Sequence, residues 1–441
     1  MKVLLVYPRW NYPTFGEPQE PLGIIYIGAA LKYAGHKVTM VDLTVEDIEE
    51  LDRAIPDADM VGMSSSTALY GRACMVLDRI KERRPDLPVI LGGPHATVMP
   101  EEAISRGFDA AVIGEGEHAV VEIAEAIQDG RPLHEIPAVY GMKDGKPERG
   151  PVREFESDID VFKDPDRSLI HYDRYFEKSL KHVGMMASRG CPWNCLFCKP
   201  MQDKLFGRKI RRRSIERLTA EMASIAESLH TRAFIYRDDT FALAGEKWFH
   251  EFEKALSFAG LSDVRFSAQS RVDQVKRPLI ESMIRCGLEG LAFGVESGSQ
   301  KVLDFYRKGI KVEQTIAAFD LCREMGIGTH AFIMLGAPVE TKEDLDATVK
   351  LVERIRPNSV SVSVTTPAPG TDLYDIVYSS GAYNIVSPED SDYHYNTRPI
   401  KLSELTAKDI AAAEKAILEA VPGTYFREEL MTRMQHLSES C

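Results

Sequence analysis

Three cysteines lie close together near the middle of the chain. Cys191, Cys195 and Cys198 form a C-x3-C-x2-C pattern directly after the short apolar run 185–187. Thiolates are ligands of zinc and of iron–sulfur clusters, and both structural zinc sites and structural clusters normally take four protein ligands. The local sequence supplies three. The fourth coordination position is therefore open, and chemistry can take place there.

The other four cysteines do not complete a set of four ligands. Cys74 and Cys322 fall on the apolar faces of two predicted helices, Cys286 lies near a helix end, and Cys441 is the last residue. Buried cysteines commonly behave as small hydrophobic residues, which is how we interpret the first two. A structural zinc site and a purely structural cluster are the alternatives. The seven cysteines, three of them clustered, are not typical of a disulfide framework and favour a reducing compartment.

Composition narrows the class of protein. A chain of 441 residues predicts two or three domains, and 44% hydrophobic with 27% charged residues is typical of a folded globular protein. A net charge of -13 disfavours nucleic acid and anionic membranes as partners. No segment approaches the roughly 18 apolar residues of a membrane span. The apolar start 1–8 reads as a buried strand and not as a signal peptide, so we expect a cytoplasmic protein.

One basic run stands out against the acidic balance. Residues 208–213 read Arg-Lys-Ile-Arg-Arg-Arg and precede a helix that we expect to begin near Ser214. We interpret the run as solvated or paired with acidic neighbours, and nucleic-acid binding is the alternative.

Residues 1–145 carry the pattern of an α/β domain. Short apolar runs at 3–6, 38–41, 60–63, 89–91 and 110–113 alternate with helical patterns such as 73–83. Such runs are typical of parallel strands buried on both faces, so we predict a doubly wound, Rossmann-like sheet. No G-x-G-x-x-G follows the first strand, at Trp10 and Asn11, so an ordinary dinucleotide site is not supported.

Small and polar residues follow the third, fourth and fifth predicted strands. Ligands of such sheets bind beyond the carboxyl ends of the strands, and small residues let a ligand approach the backbone closely. For any one loop, a tight turn is the alternative explanation. Because three consecutive strands end in this way, we predict a binding crevice formed by Ser64, Ser65, Ser66, Thr67, Leu69, Tyr70, Gly92, Gly93, Pro94, His95, Gly114, Glu115, Gly116 and Glu117.

The remaining chain divides into three parts. Residues 146–182 read as a linker that packs locally. Residues 183–370 contain six strand candidates separated by helical patterns, at 184–187, 233–236, 264–268, 291–295, 330–335 and 360–364. This pattern predicts a partial (β/α)6 barrel of TIM type with its active site at the strand C-termini. Residues 371–441 read as a small, mostly helical region, with one helix near 407–421, that caps the barrel or contacts substrate.

The cysteine segment resembles the signature of radical SAM enzymes. Ser188, Arg189 and Gly190 precede the first cysteine, and Phe197 precedes the last. The resemblance implies that the three cysteines hold a [4Fe-4S] cluster whose fourth iron binds S-adenosylmethionine (SAM). It also implies that a reduced cluster cleaves SAM to a 5'-deoxyadenosyl radical, and that a flavodoxin-type or ferredoxin-type protein supplies the electron.

Later strand ends are similar to segments of the same family. By that similarity we assign Glu296 to the SAM ribose, Arg271 to its carboxylate, and the backbone from Leu335 to Pro338 to the adenine side. By the same similarity Phe197 is expected to pack near the adenine, and Asp239 is assigned to the same pocket. For Arg271 and Asp239 an ion pair at the barrel rim is the alternative. The family more often has glycine where this chain has Val339.

The order of the two domains resembles the cobalamin-binding class of radical SAM enzymes, as do Pro21-Leu22-Gly23 and the loops 92–95 and 114–117. The motif Asp-x-His-x-x-Gly, whose histidine binds cobalt in another cobalamin group, is absent. We therefore predict base-off cobalamin without a protein histidine ligand, with Leu69 or Tyr70 beneath the cobalt. His95 can equally be a turn histidine that bonds its own loop.

These resemblances imply a cobalamin-dependent radical SAM enzyme that methylates an unactivated carbon of a small-molecule or natural-product substrate. One alternative is cyclisation or rearrangement with the same cofactors. Another is a methylthiolation or RNA-modifying radical SAM enzyme without cobalamin, and a third is a non-catalytic cluster-binding or corrinoid-binding protein. No motif identifies the substrate.

Overall fold

The computed structural model describes residues 1–9, 19–176, 182–379 and 402–421. Within these ranges the chain forms a mostly parallel seven-stranded sheet and a parallel six-stranded sheet, each with its own helices, and a two-stranded ribbon. The predictions made for Trp10, Asn11 and Cys441, and for most of 371–441 apart from its helices, lie outside the described residues.

The first sheet has seven strands in the order β2-β1-β3-β4-β5-β6-β7. The first five are parallel and lie where the sequence predicts them, whereas β6 and β7 form an antiparallel hairpin that was not predicted. The predicted domain boundary at residue 145 falls inside this hairpin. The strands are β1 (Lys2–Tyr7), β2 (Lys37–Asp42), β3 (Met60–Ser64), β4 (Val89–Gly92), β5 (Ala110–Val112), β6 (Val139–Lys143) and β7 (Lys146–Arg149).

Helices cover both faces of this sheet, which confirms the doubly wound prediction. The apolar sides of α1 and α6 join the core that contains Val3 and Leu5, and those of α2, α3 and α5 join the core that contains Leu4 and Val6. Because side chains alternate along a strand, β1 contributes to both cores. The helices are α1 (Leu22–Tyr33), α2 (Ile48–Ala54), α3 (Tyr70–Arg83), α4 (Gly93–Val98), α5 (Pro100–Arg106) and α6 (Glu117–Asp129).

The segment between the two sheets, with the short helix α7 (Tyr172–Phe176), helps to close the edge of the second sheet. At the edge strand, Gly184 donates its N–H to Glu20, and Arg167 donates to the Gly184 carbonyl at 2.8 Å. An uncovered strand edge is prone to pair with another chain, so these contacts protect the sheet.

The second sheet has six parallel strands in chain order, which confirms the predicted partial barrel. The ribbon pairs Ser188–Arg189 with Arg211–Arg212 in antiparallel fashion just after the first of these strands. The strands are β8 (Val183–Met185), β9 (Ser188–Arg189), β10 (Arg211–Arg212), β11 (Ala233–Tyr236), β12 (Arg265–Ser270), β13 (Leu288–Glu296), β14 (Gly328–Leu335) and β15 (Ser359–Val364), of which β9 and β10 form the ribbon.

The outer face of the barrel is its apolar face. Phe234, Phe266 and Phe293 are fully buried in one core with residues of the helices that cross over between strands. Ser214 caps the second of these helices, as predicted, by accepting the Arg217 N–H. The helices are α8 (Met201–Phe206), α9 (Ile215–Leu229), α10 (Gly245–Phe258), α11 (Arg277–Arg285), α12 (Gln300–Phe305), α13 (Val312–Glu324), α14 (Lys342–Ile355), α15 (Asp372–Ser379) and α16 (Ala407–Ala420).

Cys74 and Cys322 are buried in these cores, as predicted for small hydrophobic residues, and Cys286 is buried as well. Among the described helices, none combines the length and the apolar character that crossing a membrane requires.

Candidate active site between the two sheets

The cysteine loop lies at the C-terminal end of β8, the first barrel strand. It starts at Gly190, which has φ of +98° and whose Cβ, if present, would lie 2.3 Å from the Lys209 carbonyl oxygen. Only glycine fits such a position. Further along, Leu196 donates its N–H to Tyr306 at 2.8 Å, and Cys198 donates to the Cys195 carbonyl at 3.1 Å. The loop is thereby tied both to itself and to the chain after α12.

The three thiols fit the ligand set of a [4Fe-4S] cluster, which takes one cysteine at each of three irons. Cys195 is buried, and Cys191 and Cys198 are half-buried. Burial raises the pKa of Cys191, and it raises the pKa of Cys198 to about 12, so binding of a metal must displace protons. Among the described residues, no three His, Cys, Asp or Glu side chains converge on a position for a single metal ion.

Arg271 supports this loop from the end of β12. Its guanidinium lies 3.9 Å from the ring centroid of Trp193 and 3.9 Å from Cys195 Sγ. It also donates to the Lys308 carbonyl at 2.7 Å and pairs with Asp273 at 3.0 Å. The ion pair anticipated as the alternative is thus present, and the assignment of Arg271 to the SAM carboxylate stays a prediction.

Glu296 ends β13 in the left-handed region, with φ of +62°. Its carboxylate pairs with Lys308 at 2.6 Å, and both side chains are buried. The pair lies above Gly294, where a Cβ would stand 2.4 Å from Glu296 Oε1 and 2.6 Å from Lys308 Nζ. A glycine is therefore required beneath the pair, and sequence reasoning missed both Lys308 and this requirement. The role of Glu296 at the ribose stays a prediction.

Asp238 and Asp239 follow β11 and make different contacts. Asp238 accepts the N–H of Ala187 at 3.0 Å and the hydroxyl of Ser188 at 2.5 Å, so it fixes the turn that leads into the cysteine loop. Asp239 accepts from the Gln202 amide at 2.5 Å. Burial raises the pKa of each carboxyl to about 6. Asp239 thus lies beside the cysteine loop, as its assignment requires, but its carboxylate accepts a hydrogen bond from helix α8.

The segment assigned to the adenine side forms a tight turn after β14. Leu335 is fully buried, Pro338 is half-buried, and the N–H groups of Gly336 and Ala337 are both accepted by the carboxylate of Glu340. Burial raises the pKa of Glu340 to about 7. Those two N–H groups are therefore engaged within the protein. The structural role of Glu340 was not anticipated, although its place two residues after Pro338 was visible.

Phe197 packs edge-to-face on Tyr306 at 5.3 Å between ring centroids, and Lys308 Nζ lies 5.7 Å from the Phe197 ring. Its side chain is thus held beside the Glu296–Lys308 pair. The sequence prediction that Phe197 belongs to the same pocket as Glu296 is consistent with this neighbourhood.

Along its rows, the inner, concave face of the barrel carries uncharged side chains, many of them small, and the Glu296–Lys308 pair lies over Gly294 of this face. The registers align Gln269, Ala292, His330 and Ser359 in one row. His330 Nδ1 lies 2.7 Å from the Ser359 hydroxyl, and burial lowers the pKa of His330 to about 4, so the ring is neutral. The other residues of this face, by the same registers, are Ile235, Ser267, Gly290, Gly294, Gly328, Phe332, Met334, Ser361 and Ser363.

The predicted cobalamin loops come together at the C-terminal edge of the first sheet. The backbone N–H of Ser65 donates a hydrogen bond to the Gly92 carbonyl, and His95 donates its N–H to the Ser65 carbonyl. Gly93 has φ of +88°, and a Cβ there would lie 2.8 Å from Ser64 Oγ. Pro94 follows at the first turn of α4, and Ser66 precedes the turn 67–69.

His95 behaves as the turn histidine that the sequence left as an alternative. Its Nδ1 lies 3.3 Å from Thr67 Oγ1, and its ring stacks on Tyr70 at 3.7 Å between centroids. Burial lowers the pKa of His95 to about 4, so it is neutral. Leu69 and Tyr70 are buried. Their position beneath cobalt stays a prediction, and so does the absence of a histidine ligand.

The loop 114–117 contacts the barrel domain. Glu115 pairs with Arg189 at 2.8 Å and with Arg211 at 2.9 Å, and Glu117 pairs with Arg189 at 2.5 Å. Both carboxylates, predicted at the cofactor, are thus engaged in buried ion pairs between domains. Gly114 and Gly116 are closely packed, since a Cβ would lie 3.0 Å from the Lys204 carbonyl oxygen at the first and 3.0 Å from Ile27 Cδ1 at the second, and their contact with cobalamin stays a prediction.

Buried ion pairs also hold two arginines of the basic run 208–213. Arg211 pairs with Glu115, and Arg213 pairs with Glu221 at 2.5 Å and Asp164 at 2.6 Å. Arg211 and Arg213 are buried, and this agrees with our interpretation that the run is paired with acidic neighbours.

The two groups of loops face each other. Helix α4, which starts at Gly93, packs on α8, which follows the cysteine loop. Beside Gly114 lies a cavity of about 390 Å³, whose lining includes Thr97, Phe155 and Lys204. The chain therefore brings the strand ends of both domains to one interface.

Comparison with known proteins agrees with this arrangement. The B12 binding domain family matches residues 13–124, and the radical SAM superfamily matches residues 185–352. An uncharacterized methyltransferase of Pyrococcus horikoshii is 29% identical over 98% of this chain and 94% of its own. An anaerobic magnesium-protoporphyrin IX monomethyl ester cyclase of Rubrivivax gelatinosus is 28% identical over 88% of this chain and 73% of its own.

A solved structure shares the fold. It is the radical S-adenosylmethionine methyltransferase TsrM of Kitasatospora setae, with cobalamin and a [4Fe-4S] cluster bound, and it aligns with a TM-score of 0.76. The sequences are 22% identical, and the match covers 88% of this chain and 79% of the other. With its N-terminal sheet, partial barrel and cysteine loop, the chain belongs to the radical SAM enzymes that carry a B12-binding domain.

Proposed function

We propose that the protein is a cobalamin-dependent radical SAM methyltransferase that methylates an unactivated carbon of a small molecule. The single observation that carries this proposal is the meeting of the cysteine loop and the predicted cobalamin loops at one interface, joined by the buried pairs of Arg189 with Glu115 and Glu117. Two cofactors that act on one substrate carbon must open into the same chamber.

The residues present fit both cofactors. Cys191, Cys195 and Cys198 would hold the cluster, and the loops that begin at Ser64, Gly92 and Gly114 would hold cobalamin. When bound, the cluster with SAM supplies the radical that removes a substrate hydrogen atom, and methylcobalamin supplies the methyl group. We expect an external electron donor of flavodoxin or ferredoxin type and a cytoplasmic location.

The chain itself would bind and orient the substrate on the concave face of the barrel. Gly290 and Ala292 leave space along β13, and the row of Gln269, His330 and Ser359 offers hydrogen bonds to an uncharged group. Because His330 is neutral, this row carries no charge. This uncharged row favours a neutral, hydrogen-bonding group of the substrate beside it over a carboxylate or phosphate, whose burial without a countercharge is costly.

Anaerobic reconstitution tests the proposal. The full chain is loaded with iron, sulfide and hydroxocobalamin, reduced, and supplied with SAM and candidate substrates. S-adenosylhomocysteine and 5'-deoxyadenosine are expected together in turnover, and formation of 5'-deoxyadenosine alone would contradict methyl transfer. A Cys195→Ala variant is the control, since it removes one cluster ligand and should abolish both products.

Cyclisation or rearrangement with the same cofactors is the second candidate. It is favoured by the similarity to the magnesium-protoporphyrin IX monomethyl ester cyclase over 88% of this chain. The same assay separates the two, because a cyclase would form no S-adenosylhomocysteine. Stoichiometric retention of the corrinoid would in turn exclude an RNA-modifying enzyme without cobalamin.

A further inference from the structure

Arg189 is a buried cation at the interface of the two domains, two residues before the first cluster cysteine. Its side chain is 5% exposed, and the side chains of its partners Glu115 and Glu117 are 8% and 7% exposed. Its guanidinium also lies 4.9 Å from the ring centroid of Phe162 and 5.4 Å from that of Tyr26. A charge in such surroundings is tolerated only with its partners in place.

On the N-terminal side, the acidic partners connect to the loop after β4. Gly114 donates its N–H to Thr97 Oγ1 at 3.0 Å, and that hydroxyl donates to the Gly93 carbonyl at 2.9 Å. A single set of hydrogen bonds therefore runs from the Gly92–Gly93 loop to Gly114, next to Glu115. Both loops belong to the predicted cobalamin crevice.

On the barrel side, Arg189 connects directly to the cluster loop. In the β9–β10 ribbon the backbone of Arg189 lies opposite that of Arg211. The next residue is Gly190, a position that admits no side chain. Cys191 donates its N–H to the Gly207 carbonyl at 3.4 Å. A shift of the Arg189 backbone would therefore move Cys191, because one glycine with a restricted environment separates them.

We propose that Arg189 and Glu117 are positioning residues that couple cobalamin binding to the order of the cysteine loop. This inference rests on the proposed function, since it requires cobalamin at the loops 92–95 and 114–117. Cobalamin that fixes Gly93, and through Thr97 also Gly114, would fix Glu115 and Glu117, which follow Gly114 in the same loop and hold Arg189 and the start of the cysteine loop. Because coupling between sites is reciprocal, a loaded cluster should likewise tighten binding of cobalamin.

Hydrogen exchange of the cluster-loaded full chain tests this coupling. Amide exchange of the peptide 188–202 is measured anaerobically with and without hydroxocobalamin in the wild type and in Glu117→Gln. The matched control is Glu122→Gln, which removes the pair of Glu122 with Arg153 on the same helix without touching the path to Arg189. Arg189→Lys serves as a second variant from the barrel side. Corrinoid retention is measured by absorbance in every sample.

Cobalamin is expected to slow exchange of 188–202 by about fivefold or more in the wild type and in Glu122→Gln, the lower end of common coupling strengths. In Glu117→Gln or Arg189→Lys with cobalamin retained, this slowing should fall below about twofold. A purely structural ion pair would change exchange equally with and without cobalamin, and that result would overturn the proposal. A wild type that retains cobalamin without slowing also overturns it. A wild type that retains no cobalamin instead refutes the proposed function.

Discussion

Loss of the lysine in the Glu296–Lys308 pair is expected to destabilise the barrel strongly. The two charged atoms are 2.6 Å apart, and the side chains are 8% and 7% exposed. In a Lys308→Met variant the stem still fills its volume, but the Glu296 carboxylate is left buried without its countercharge. Removing one partner of a buried pair typically costs about 3 to 5 kcal/mol.

An ion pair on the surface provides the reference for the loss of stability expected in Lys308→Met. Lys301 pairs with Asp344 at 2.5 Å, but Lys301 is 52% exposed, so Lys301→Met should cost under about 1 kcal/mol. The double variant Glu296→Gln with Lys308→Met removes both charges. It should recover at least half of the loss caused by Lys308→Met, because most of that loss is the cost of the unpaired carboxylate.

Unfolding in urea, monitored by tryptophan fluorescence, measures these differences in stability. Two of the three tryptophans, Trp193 and Trp248, lie in the barrel domain, so the signal follows the unit that contains the pair. The free energies of unfolding are compared between proteins whose free energy of unfolding depends on urea concentration with the same slope. The reasoning is refuted if Lys308→Met is no more destabilising than Lys301→Met, or if the double variant is less stable than Lys308→Met alone.

Three further predictions address the cofactor loops and the turn after β14. His95→Phe should leave the electron paramagnetic resonance spectrum of bound cobalt(II) unchanged, since His95 bonds Thr67; a nitrogen splitting present only in the wild type would contradict this. Gly93→Ala should abolish corrinoid retention measured by absorbance, because its Cβ would lie 2.8 Å from Ser64 Oγ in left-handed backbone, and normal retention would refute the reasoning. Burial raises the pKa of Glu340 from 4.5 to about 7. The folded state therefore binds the extra proton, and the stability that it contributes is present below pH 4.5 and lost as pH rises through about 7. Relative to Glu340→Gln, the wild type should lose thermal stability over that interval, and a constant difference between the two would count against the assignment.

Apolar segments predicted every parallel strand of both sheets. Strands of the first sheet such as β1 and β3 are buried on both faces and leave a near-continuous apolar signature, whereas barrel strands such as β14 and β15 alternate between buried and partly exposed residues. The β6–β7 hairpin was not predicted, because its second strand has no apolar pattern. Its second strand, Lys146–Arg149, is polar and exposed at the edge of the sheet. A strand without an apolar face has no local pattern to recognise, and its pairing is visible only in three dimensions.

The cysteine spacing and the strand ends were sufficient to predict the cluster loop and the two-domain architecture, because ligands on one loop and periodicity along one segment are local properties of a chain. The partners of charged residues are not local. Glu117 meets Arg189 across 72 positions, and Glu115 meets Arg211 across 96, so the loop 114–117 gave no sign that its carboxylates join the domains. Likewise, Glu296 was visible as a candidate, but Lys308 and the need for Gly294 beneath the pair depend on a turn of the chain after α12 that brings Lys308 back over β13. The sequence by itself determined which cofactors this protein suits, and tertiary structure decided which charges are buried together, because desolvation and pairing depend on distances that only the folded chain sets.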